Sequence, residues 1–105
     1  MQYNLADLAA VVRSKNSGPY EITFDIIFKE EEMFRQVAGA GIINREGFAA
    51  LYHIKPRDVL SVVEFPPAKA IKVTIARPIS SGSLGETDVY GAQQHGPLLG
   101  FTFDM

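Results

Sequence analysis

Two polar segments of this chain hold residue types that can do chemistry. The first is Arg13-Ser14-Lys15-Asn16-Ser17-Gly18-Pro19. Two cations stand beside small, hydroxyl and glycine residues, whose backbone N–H groups can converge in a turn. Such a turn can hold a carboxylate or a phosphate. Arg13, Ser14, Lys15, Asn16 and Gly18 are its candidate ligand contacts. The plain alternative is a solvated hairpin turn with Asn and Gly at left-handed positions. It is not a nucleotide-type phosphate loop, which needs a longer glycine-rich run and a following helix.

The second segment, residues 82–95, gathers Glu86, Asp88, Tyr90, Gln93, Gln94 and His95. His95 beside Asp88 can act as a general base oriented by a carboxylate. Tyr90 can donate to a developing oxyanion. Gln93 and Gln94 add amide contacts for a ligand. A metal site built from Glu86, Asp88 and His95 is conceivable, although their spacing matches no known ligand pattern, and no cofactor is expected. The plain alternative is that Asp88 and Gln93 satisfy loop backbone while His95 caps a turn. No Gly-x-Ser-x-Gly elbow or HExxH pair is present, which leaves serine-hydrolase and metalloprotease chemistry without support.

The elements that must position these segments are legible in part. Tyr20–Phe28 alternates aromatic and β-branched residues with polar ones and reads as a strand. Asp25 falls on its outward face, solvated or paired with Lys72 or Arg77. Glu30-Glu31-Glu32 opens a short helix that carries Met33, Phe34, Val37 and Ala38 and stops at Gly39 or Gly41. Asn44 caps a second helix with Phe48, Leu51 and Tyr52 inward, and His53 closes it with a charge suited to the dipole. Pro56 suits a short helical piece.

Val59–Phe65 and Lys69–Arg77 read as antiparallel strands broken at Pro66-Pro67. In the second of them Ile71, Val73 and Ile75 point inward. Leu98–Phe103 reads as a last strand with Leu99, Phe101 and Phe103 toward the core. Residues 5–13 fit a helix capped by Asn4 or a strand, and strand is preferred because a tight turn follows it. The expected fold is therefore α+β: a small open, mainly antiparallel sheet of four to five strands, with two short helices on one face. Residues 78–97 form an unusually long connection, and such loops are commonly functional.

Composition bounds the rest. A chain of 105 residues, 47% hydrophobic and 21% charged, suits one domain. The net charge of -2 argues against nucleic acid as the main partner. The absence of Cys removes disulfides and thiolate chemistry. No signal-type start and no apolar run of about 20 residues is evident, so a cytoplasmic location without membrane contact is expected.

The motifs Asp7-Leu8-Ala9, Arg13-Ser14-Lys15-Asn16, Gly18-Pro19, Phe24-Asp25-Ile26-Ile27-Phe28 and Thr87 through His95 run nearly the whole chain. In them the sequence resembles a family catalogued as domain of unknown function 4387. It is also similar to the small ferredoxin-fold-like domain that ends acyclic terpene utilisation proteins, where an Arg-Ser-Gly-Asp-Lys-Gly turn leads into a strand. This chain keeps Arg13-Ser14 and then has Lys15-Asn16-Ser17-Gly18. The resemblance implies a hairpin turn used as a site and a large subunit as partner, in breakdown of acyl-CoA or carboxylic acids. Three arrangements follow. The chain is an accessory subunit of that larger catabolic partner. It is a stand-alone lyase, hydratase or isomerase, with Arg13 and Lys15 holding the anion and Asp88 and His95 moving a proton. Or it is a homo-oligomer in which residues 82–95 complete a neighbour's site.

Overall fold

The computed structural model describes residues 1–18, 20–76 and 96–105. A four-stranded sheet, fully antiparallel, forms its centre in the order β2-β3-β5-β4. Its strands are β2 (Ala9–Gly18), β3 (Glu21–Phe28), β4 (Val59–Phe65) and β5 (Ala70–Ala76). A separate ribbon pairs β1 (Gln2–Asn4) with β6 (Thr102–Asp104), so the first and last strands lie together. Between β3 and β4 run α2 (Glu31–Gly39), α3 (Arg45–Tyr52) and a 3-10 turn at Pro56–Asp58, a second 3-10 turn at Pro66–Ala68 follows β4, and two single-turn helices are α1 (Leu5–Leu8) and α4 (Gly96–Leu99).

Period-two alternation decides which sheet face is covered. On β3 the side chains of Ile22, Phe24, Ile26 and Phe28 are buried, as are Ile71, Val73 and Ile75 on β5. They form one cluster with Leu5 of α1, Phe34 and Val37 of α2, Phe48 and Ala49 of α3, and Leu98 of α4. The rings of Phe24, Phe48 and Tyr52 interlock, with centroids 4.8–5.1 Å apart. The helices thus contribute their apolar stripes to a single sheet face, as expected for a half-covered antiparallel sheet.

Local signals explain most element ends. Asn44 accepts a hydrogen bond from the Gly47 N–H at 2.7 Å and caps α3. Replacing Asn44 with Ala is expected to lower unfolding free energy by about 1 kcal/mol, read from urea melts. Pro66-Pro67 sits in a 3-10 turn joining β4 to β5, where the sequence required a break.

Several expectations need correction. Residues 5–13 are neither one strand nor one helix. Asn4 caps a single helical turn by accepting from the Ala6 N–H at 3.0 Å, and the strand begins at Ala9. Leu98–Phe103 is not one strand either. Pro97 lacks an N–H and suits the first turn of α4, so Leu98 is buried and Leu99 is 46% exposed, reversing the expected pattern. His53 does close α3, as expected, and it does so with a left-handed backbone, φ 57°.

Candidate functional site

The segment expected to form an anion-binding turn at 13–19 is strand through Gly18. As an edge strand it directs its backbone N–H groups alternately toward β3 and toward the open sheet edge, so they do not converge on one ligand. The pleat instead sends its side chains to opposite faces. Ser14, opposite Phe24, is buried on the helix-covered face, and Asn16, opposite Ile22, is half-buried on that side. Arg13 and Lys15 project from the second face. Gly18 lies at a register shift just before the hairpin's end.

On the second face the register aligns three rows across the sheet. The central row is Arg13, Asp25, Lys72 and Val63. One neighbouring row is Lys15, Thr23, Thr74 and Ser61, and the other is Val11, Ile27, Ala70 and Phe65. Adjacent rows lie about 7 Å apart along a strand, two residues at about 3.4 Å each. Polar and apolar groups are thus sorted into stripes.

Asp25 is the centre of this arrangement, and of the two expectations for it, solvated or paired, the structure shows the pairing. It is only 2% exposed. Arg13 Nε donates to Asp25 Oδ2 at 3.0 Å, and Lys72 Nζ stands 3.9 Å from Oδ1. The pairing with Lys72 was legible in the sequence. The closer pairing with Arg13 was not, because it depends on the register of the β2–β3 hairpin. Oδ1 is buried and accepts no hydrogen bond among the described residues. Beside this row the hydroxyls of Thr23 and Thr74 lie 3.1 Å apart.

The cations stay in contact with solvent: the side chains of Arg13 and Lys72 are 59% and 50% exposed. One guanidinium N–H is spent on Asp25, so the others can serve a second acceptor. At 3.9 Å, Lys72 is inside ion-pair range but beyond hydrogen-bond length. The face therefore offers positive charge at a fixed place, with one buried carboxylate beneath it.

Glu86, Asp88, Tyr90, Gln93, Gln94 and His95 are outside the described residues, as is Arg77. On the helix-covered face, burial pushes the Tyr52 phenol above its ordinary value, and a backbone hydrogen bond at Leu98 pulls the other way. A small apolar cleft between α3 and α4 is lined by Ile43, Phe48, Leu51, Leu98 and Phe101. A shallow hollow near Asp7, Lys29 and Glu30 lies by the start of α2. The cleft is apolar, and the charged groups around the hollow are all exposed, unlike the buried Asp25 of the second sheet face. Among the described residues, no helix is long and apolar enough to cross a membrane.

No curated protein and no solved structure matches the chain. One family model does, described as domain of unknown function (DUF4387), and it matches residues 5–102. That span runs from the buried Leu5 of α1 to the first residue of β6 and takes in all four strands of the central sheet. The chain belongs to the DUF4387 family.

Proposed function

We propose that the chain is a small accessory subunit or domain working beside a larger catabolic partner on acyl-CoA or other carboxylic-acid substrates. One observation carries this reading: the helices bury one sheet face, while the second shows solvent both cations and large apolar groups. Val11, Val63 and Phe65 on that face are 39%, 51% and 49% exposed. An apolar stripe of that kind, rimmed by charge, is typical of an interaction surface. Arg13 and Lys15, two residues apart on β2, give it an anion contact. The resemblance to the ferredoxin-fold-like domain of acyclic terpene utilisation proteins supports the same assignment to acyl breakdown.

The test is assembly. Co-expressed with the products of the genes beside its own, the chain should elute in a stoichiometric complex, with mass read by light scattering. A chain that elutes by itself, as a monomer, overturns the accessory role. Elution as a multimer of this chain alone replaces it with the homo-oligomer.

A further inference from the structure

We propose that Arg13 and Lys72 are the two arms of a carboxylate site on the second sheet face, that Asp25 anchors them, and that the ligand carries a short apolar tail. The inference rests on the reading above that this face meets an anionic acyl compound. It adds Lys72, Asp25 and the tail's position.

The geometry treats the two cations differently. Arg13 is fixed, because its Nε is hydrogen-bonded to Oδ2 at 3.0 Å. A guanidinium held through Nε keeps its Nη donors for a planar partner such as a carboxylate. Lys72 is poised rather than fixed: its ammonium is 3.9 Å from Oδ1 and its side chain is half-exposed. It can move to a ligand without breaking a hydrogen bond to Asp25.

Oδ1 gives a second and independent indication. It is a buried carboxylate oxygen with no hydrogen-bond donor among the described residues, a rare condition that calls for an explanation. Such an oxygen holds a cation nearby by charge alone. Asp25 therefore keeps Arg13 and Lys72 converged across β3, although like charges would otherwise repel. Without that anchor, two long side chains from strands about 10 Å apart would point where entropy takes them.

The neighbouring rows specify the rest of the ligand. On one side stand Lys15 and the Thr23–Thr74 hydroxyl pair, which suit the polar end of an anion. On the other stand Val11, Ile27 and Phe65, about 7 Å away along the strands, the spacing of a short carbon chain. A carboxylate on Arg13 and Lys72 would lay its tail along that apolar stripe.

The experiment is a titration of the isotope-labelled full chain, following the Arg13 Nε–H and the Val11 and Ile27 methyl resonances. The probes are acetate, butyrate, hexanoate and inorganic phosphate, all at one ionic strength. Saturable shifts should appear at the Arg13 group, and affinity should rise about twofold per added CH2, less than full burial would give. Lys72→Met should weaken hexanoate about tenfold. Lys55→Met, which removes an exposed charge beside the short turn at Pro56, should leave it unchanged. Asp25→Asn should also weaken binding, although it makes the face more positive. Simple attraction predicts the opposite sign, so tighter binding by Asp25→Asn overturns the anchoring role.

Phosphate binding tighter than hexanoate with no chain-length effect overturns the ligand class. Equal losses in Lys55→Met and Lys72→Met overturn the site. If Asp25→Asn loses its native spectrum, Lys72→Met and the chain-length series decide. A wild-type chain that assembles with its partner but shows no saturable shift sinks this site alone. One that binds hexanoate but assembles with nothing sinks the accessory role alone.

Discussion

Phe24→Ala should remove about 3–5 kcal/mol of stability, the range for emptying a fully enclosed aromatic site. Phe24 is 0% exposed and lies at the middle of β3, the strand between β2 and β5. Its ring meets Phe48 edge-on at 5.1 Å and Tyr52 at 4.9 Å, so the cavity would open where the sheet joins α3. Small domains have about 5–15 kcal/mol in total, so the loss is a large share. The melting temperature should fall by roughly 12 °C or more. Val63→Ala is the counterpart on the other sheet face, where the side chain is 51% exposed, and should change stability by less than about 0.5 kcal/mol. Urea melts of both variants with matched slopes make the comparison. Similar losses in the two would contradict the assignment of one covered and one uncovered face.

The covered face was legible because its signal is local. Ile22, Phe24, Ile26 and Phe28 alternate within eight residues, and the same holds for Ile71, Val73 and Ile75. Asn44 was legible as a cap because a cap needs only three residues of context. Leu98 and Leu99 were read in the wrong order because both patterns fit a short apolar run. The arbiter was Pro97, which favours a helical start over a strand.

The second face was harder to read for a different reason. Asp25 looks solvated when β3 is considered alone, since it alternates with Phe24 and Ile26. Its burial follows from neighbours contributed by β2 and β5, 12 residues before it and 47 residues after it. Arg13 comes opposite Asp25 only after the hairpin register shift between Asn16 and Gly18 is counted. A shift of one residue exchanges the two faces of a strand, so no local pattern could reveal the row. The segment 13–18 shows the same limit. Its composition is that of a turn, yet pairing with β3 extends it as strand.

The charged row carries the second large effect, and its sign depends on which partner is removed. Arg13 and Lys72 are half in water, whereas the Asp25 side chain is 3% exposed. Removing the carboxylate, as in Asp25→Leu, leaves two cations that can complete their hydration where they stand. That variant should lose about 1 kcal/mol or less, since a similarly sized apolar group takes the buried position. Removing both cations, as in Arg13→Met with Lys72→Met, leaves a buried anion without an opposite charge. That variant should lose about 3–5 kcal/mol, the range for stranding one member of a buried pair. The triple variant should regain most of the loss, because the stranded anion is gone, and the non-additivity measures the coupling within the row. Urea unfolding of the three proteins at neutral pH decides the matter. If Asp25→Leu proves the more costly change, the carboxylate contributes more than the cations do, and Asp25 would organise the sheet itself rather than hold two side chains in place for a ligand.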